Sequence, residues 1–267
     1  MTDRLPAADL RNMVATLRAE RTAMLDFTST LSDDEWAAPS AAKGWRIADV
    51  VAHIAATARN FYTPAGLRTA FAPSLEQANE DPVARRRDWS RARVMAEYER
   101  ASRRATTLLD VVRRTPITRV RMPLAELGRY PLGLMIGGAL VFDHHSHLRH
   151  DIAPALGRPV PPTDADRIRA VLTWMIAVLS NQVAQAPVAG LDARVALTLT
   201  GRGGGTWWID QAGVLAPSGG PVAAHVTAPA VTFPDWGTQR SSWRDSTVTI
   251  TGDAELAARL LDAVNVI

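Results

Sequence analysis

Residues 142–151 read Phe142-Asp143-His144-His145-Ser146-His147-Leu148-Arg149-His150-Asp151, and four of the chain's six histidines fall in this stretch. It follows an apolar run, Leu132-Gly133-Leu134-Met135-Ile136-Gly137-Gly138-Ala139-Leu140-Val141, long enough for a buried helix. If that helix continues through the histidines, Asp143 and His147 stand four residues apart on one face, and His147 and Asp151 repeat the spacing. His144 and His147, three apart, also share roughly one face. Side chains at such offsets converge on one ion once a second helix supplies a further donor.

Composition narrows what that chemistry can be. The 267 residues allow one large domain or two modest ones. A hydrophobic content of 47% supports a sizeable core. The formal net charge is only +3, and Lys43 is the single lysine, so the basic residues are arginines dispersed among acids. This argues against a nucleic-acid surface, and Arg85-Arg86-Arg87 reads as a solvated loop or helix start. The absence of cysteine excludes disulfides, thiolate-ligated zinc and a cysteine nucleophile. Met1-Thr2-Asp3-Arg4 lacks the apolar core of a signal peptide, and no apolar run reaches the roughly 18 residues of a bilayer span. The expectation is a soluble cytoplasmic protein with no membrane partner.

Helical spacing of Leu10, Met13, Val14, Leu17, Met24 and Leu31 predicts a first helix over about 8–31, followed by a short helix capped by Ser32. Trp45 to about Phe61 predicts a second long helix, with Ile47, Val50 and Ile54 facing the core and His53 beside them. Pro64, Gly66, Pro73 and Pro82 leave 64–88 irregular. A third helix is expected over about 90–113, a connection or short hairpin over 115–131, and a fourth helix carrying the histidines to Pro154 or Gly157. A fifth runs from about Asp164 to Ala186. Beyond Pro187, alternation in Arg194-Val195-Ala196-Leu197-Thr198-Leu199 and in Thr206-Trp207-Trp208-Ile209-Asp210 predicts a hairpin turned by Gly201 to Gly205. Further strands are expected at 223–226 and 247–250, with a closing helix over 254–264. The fold class expected is α+β: a helical N-terminal domain, residues 1–187, and a small α+β domain, residues 188–267.

Without cysteine, a metal site needs neutral imidazole and carboxylate. A catalytic zinc site has three protein ligands and leaves a fourth position for water or substrate. His53 of the second helix with Asp143 and His147 of the fourth supplies such a set, as facing helices of bundles commonly do. His144, His145 and His150 cannot all face the same ion as His147. The histidine run also admits a reading as a polar helix end. Asp151 either orients an imidazole or pairs with Arg149.

The run Trp45-x-x-x-Asp49-Val50-Val51-Ala52-His53-Ile54 resembles the second-helix signature of DinB-like bundle proteins, and Asp143-x-x-x-His147 resembles their paired-ligand motif. The chain as a whole is similar to the mycothiol-dependent maleylpyruvate isomerase family. Its tail carries matching features at Thr198-Leu199-Thr200-Gly201, Trp236-Gly237-Thr238-Gln239-Arg240 and Thr251-Gly252-Asp253. The resemblance implies a DinB-like four-helix metal-binding bundle joined to a small sterol-carrier-like domain. It implies a divalent metal, zinc, on His53, Asp143 and His147. The family pattern has glutamate where Asp143 stands, one methylene shorter, which makes His144 the substitute ligand. It also implies an arginine of the C-terminal domain near the active site. Arg240 matches by context as the catalytic and cofactor-binding residue, with Arg244 as the neighbour that also fits. Mycothiol, a low-molecular-weight thiol, would be the cofactor and a small electrophile the substrate, for isomerisation or thiol transfer. The rival expectations are a zinc-dependent hydrolase on the same bundle and a non-catalytic small-molecule-binding protein.

Overall fold

In the computed structural model, residues 8–215 and 221–266 are described; the reading of Met1-Thr2-Asp3-Arg4 lies outside them. The chain divides into two compact units, Asp9–Pro162 and a second that begins at Thr163. The first is built on four long helical stretches. Helix α1 spans Leu10–Ser29 and is followed by the single-turn helix α2, Asp33–Ala37. Helix α3 spans Ile47–Asn60, α4 Ala65–Ala70, α5 Leu75–Ala84 and α6 Arg91–Val112. The fourth stretch covers 132–152 and changes its winding three times. A turn, α7 at Leu132–Leu134, opens it, and Met135–Ala139 is π-helical. Helix α8, Leu140–Ser146, follows, and His147–Ile152 is π-helical again.

Helix starts fall where polar caps stand. Asp9 accepts from the amides of Arg11 and Asn12. Ser32 and Glu35 exchange reciprocal bonds in a capping box, and Ser90 accepts from the amide of Arg93. Segment 64–88, expected to be irregular, instead holds α4 and α5. Ser74 caps α5 through the amide of Gln77, and Pro82 stands inside its last turn, where it has no amide hydrogen to give to the preceding turn. The arginine run after α5 is not a solvated loop throughout. Arg86 is buried and clasps Glu97 of α6 through two bonds of 2.5 and 2.8 Å. Between α6 and α7 the chain forms an antiparallel pair, β1 at Arg121–Pro123 and β2 at Arg129–Pro131.

The core of this unit lies along α3. Ile47, Val50, Val51 and Ile54 are wholly buried against Met24 of α1, Tyr98 of α6 and Leu148 of the fourth stretch. Each such side chain contributes about 2 kcal/mol by removal from water. Gly137 allows α1 to approach, since a Cβ there would come within 2.9 Å of Met13 Sδ. At the far end the Ala153 amide donates to the Leu148 carbonyl, five residues back, at 3.1 Å. Such widened turns occur mostly as single insertions, frequently at functional sites.

In the second unit helix α9, Ala165–Gln185, is capped by Asp164. It belongs to this unit although the composition changes only after Pro187. The reason is packing: α9 lies on the sheet, and its Ser180 hydroxyl accepts from the Val214 amide at 3.0 Å. The sheet comprises β3 Val195–Thr200, β4 Gly205–Asp210, β5 Gly213–Leu215, β6 Ala224–Pro229 and β7 Thr249–Gly252. Its order is β5-β4-β3-β6-β7, with β3 and β6 parallel and the other pairs antiparallel. The glycine-rich segment after β3 is a hairpin turn, with Gly201 at φ +94° and Gly203 at φ +81°. A short helix α10, Phe233–Trp236, precedes β7, and α11, Ala254–Ala263, closes the chain.

Candidate metal centre

Helix α3 presents His53 toward the fourth helical stretch, where α8 carries Asp143 and the following π turn begins at His147. Ligand-type atoms of these three side chains all lie within 4.8 Å of one another. The His53 Nε2 to Asp143 Oδ2 distance is 3.7 Å, and the two imidazoles meet edge to face with ring centres 5.1 Å apart. The shorter aspartate side chain still lies beside His53, because the two helices bring His53 up to it. Side-chain exposures of 7% for His53, 15% for Asp143 and 11% for His147 show a cluster that is nearly, but not fully, closed to solvent.

Asp151 decides how His147 is presented. Its carboxylate, 1% exposed, lies 2.6 Å from His147 Nδ1. A carboxylate accepts, so Nδ1 carries the proton and the Nε2 lone pair is the atom left to bind. Of the two readings of Asp151, orientation of an imidazole is the one found. Arg149 is engaged elsewhere: it is buried and donates to Glu20 Oε2 of α1 at 2.7 Å and to the carbonyls of Pro161 and Pro162.

Electrostatics favour a neutral His53. Burial, then the neighbouring His147, holds its pKa well below the ordinary value, against the opposing pull of Asp151. A neutral imidazole keeps its lone pair for an ion.

His144 is placed differently. Its Nδ1 donates to the Leu140 carbonyl at 2.7 Å, its ring packs 5.7 Å from Tyr98, and its Nε2 is buried without a hydrogen-bond partner. It is not among the three converging donors. Burial lowers its pKa to about 4 from 6.5. Below pH 6.5 the unfolded chain takes up a proton that the folded chain refuses, so this group makes stability fall as pH drops from 6.5 toward 4. The loss for the metal-free chain approaches roughly 3 kcal/mol. Urea unfolding at pH 7 and pH 4.5 measures it. The His144→Leu variant should lose less stability between the two than the unaltered chain, and an equal loss would contradict the assignment.

Arg240 lies in the second unit, exposed, after α10, and its Nη1 donates to Thr238 Oγ1 at 2.8 Å. Arg244 is committed to Asp262, with a bond of 2.9 Å from Nη2, and lies over the Trp243 ring. Sequence reasoning assigned no role to Glu20, Glu80 or the ring of Trp45, although all three surround the cluster or brace it. None of the described helices is long and apolar enough to cross a membrane.

The family model for the mycothiol maleylpyruvate isomerase N-terminal domain matches residues 17–153, a span that contains all three converging donors. The chain belongs to this family. Two solved structures share the fold: the mycothiol-dependent maleylpyruvate isomerase and a histidine-to-alanine variant of it. Each is 16% identical, with a TM-score of 0.58 over 92% of this chain and 93% of theirs. The α+β class with an N-terminal helical bundle is thus common to all three. No curated protein matches the chain.

Proposed function

We propose that this chain is a metal-dependent enzyme that uses mycothiol to isomerise, or to transfer a thiol to, a small electrophilic molecule. The observation that carries the reading is the convergence of His53, Asp143 and His147 inside the segment matched by the family. Two imidazoles and one carboxylate suit a borderline divalent ion such as zinc, and three protein donors leave a position for a further ligand. When bound, such an ion would lower the pKa of a coordinated thiol and favour its thiolate form. The chain has no cysteine, so the sulfur must come from outside.

His53, kept neutral by burial, and His147, fixed in one tautomer by Asp151, hold the site, and Asp143 contributes the charge that offsets part of a divalent cation's. In the isomerisation the external sulfur forms a C–S bond to an alkene carbon while the C=C pair moves onto the conjugated carbonyl. Rotation about the former double bond follows, then the C–S bond breaks and the pair returns to the C=C, regenerating the thiolate with no net proton or redox change. Arg240 is proposed as the guanidinium that binds a carboxylate of thiol or substrate.

The test is turnover of maleylpyruvate by zinc-loaded protein with and without mycothiol. Turnover should require both zinc and thiol, and Arg240→Ala should raise KM about tenfold or more for the anionic substrate while zinc content is kept. Turnover of ester or amide substrates without thiol would instead establish the hydrolase, and binding without any turnover the non-catalytic small-molecule-binding protein.

A further inference from the structure

The indole of Trp45, just before α3, meets both imidazoles of the centre. Its ring centre lies 5.0 Å from that of His53 and 6.4 Å from that of His147, at inclinations of 41° and 37°. It is partly exposed, where the three donors are nearly closed. The indole is also held. Its Nε1–H donates to Glu80 Oε2 of α5 at 2.7 Å, and Glu80 Oε1 accepts from Arg87 Nη2 at 3.0 Å.

We infer that Trp45, pinned by Glu80, is a specificity-determining wall of this centre that selects ligands with a flat, conjugated carbon chain. The inference rests on the metal-centre reading above. With its only N–H spent on Glu80, the indole has no polar group left to offer a ligand and presents a π surface. A planar unsaturated chain lies against such a surface over its whole length, whereas a staggered saturated chain touches it at fewer atoms. The pairing of Glu80 with Arg87 offsets the carboxylate's charge, so an anionic ligand is not turned away from the ring's edge. The two helices α3 and α5 keep the panel in place, so the selection is built in before the ligand arrives.

The experiment compares two six-carbon diacids of equal charge, conjugated cis,cis-muconate and saturated adipate, by calorimetric titration into zinc-loaded full-length protein. The unaltered chain should prefer muconate by about fivefold to tenfold. In Trp45→Leu, with zinc content unchanged by elemental analysis, the preference should fall to about one. Trp45→Phe should keep part of it. Glu80→Ala retains the indole but frees it, and should lose part of the preference with zinc again unchanged. An unaltered preference in Trp45→Leu, no preference in the unaltered chain, or binding of neither diacid to zinc-loaded protein overturns the inference and leaves the metal-centre reading standing. Failure of the unaltered chain to hold zinc overturns both, and the elemental analysis tells the two failures apart.

Discussion

Protein purified without a histidine tag is expected to carry about one zinc or other divalent ion per chain, and His53→Ala and His147→Ala each to carry close to none. The donors come from two helices that meet only in the fold, and a three-ligand set loses a third of its bonds with either change. Asp143→Ala should behave alike, while His144→Ala should retain the ion, because His144 is not among the three converging donors. Asp151→Asn is the graded control. It preserves an acceptor for His147 Nδ1–H and removes the charge behind it, so affinity should fall about 10- to 100-fold, the range for partners of metal-bound histidines. Elemental analysis and competition with a chromogenic chelator measure both effects. An unaltered chain that neither carries nor takes up a divalent ion would remove the centre of the proposed function, and the histidine run would then be a buried polar helix end.

The second large effect is on stability. Glu20 and Arg149 form an ion pair with side-chain exposures of 0% and 3%, across 2.7 Å, between α1 and the π turn that carries His147. Glu20→Ala leaves a guanidinium buried with only carbonyls around it, and should destabilise the unit by about 3–5 kcal/mol. Arg149→Ala takes away the guanidinium 2.7 Å from the Glu20 carboxylate and also releases the Pro161 and Pro162 carbonyls, with a loss of similar size. Replacing both partners by leucine should recover part of either loss, since the cost lies in the uncompensated charge rather than in the missing attraction. Chemical denaturation of the four proteins in the presence of chelator measures this. Additive losses in the double variant would contradict the assignment, because coupled partners depart from additivity. The pair lies two residues from His147, so Glu20→Ala should also weaken metal retention.

What could be read from the chain alone is what local chemistry writes into it. The caps at Ser32, Ser90, Asp164 and Asp253, and the helical spacing around them, announce α2, α6, α9 and α11. The alternation on either side of Gly201 announces the β3–β4 hairpin. His53 and the Asp143–His147 pair stand out as a donor set because each has a distinctive residue type at helical spacing, and the fold brings these three together. The strand expected at 247–250 is found two residues later, at Thr249–Gly252, because pairing with β6 sets its register.

The tertiary structure decided the rest. A π turn has the same residues as an α turn, and only the tertiary structure shows where the extra residue is absorbed, at Met135–Ala139 and His147–Ile152. Arg149 and Asp151 are both plausible neighbours in a surface ion pair by sequence. The fold instead sends Arg149 to Glu20, 129 residues away, and Asp151 to His147. Trp45 finds Glu80 across 35 residues, and Arg86 finds Glu97 in the next helix. Such pairings depend on which helix faces lie against each other, a property of the whole unit, because a charged side chain inside a core is stable only where the fold happens to set its partner. The sequence by itself therefore determined the donor types and the helices that bear them. The packing of α1, α3, α5 and the fourth helical stretch determined which nitrogen faces the site, which carboxylate braces it, and which aromatic ring stands over it.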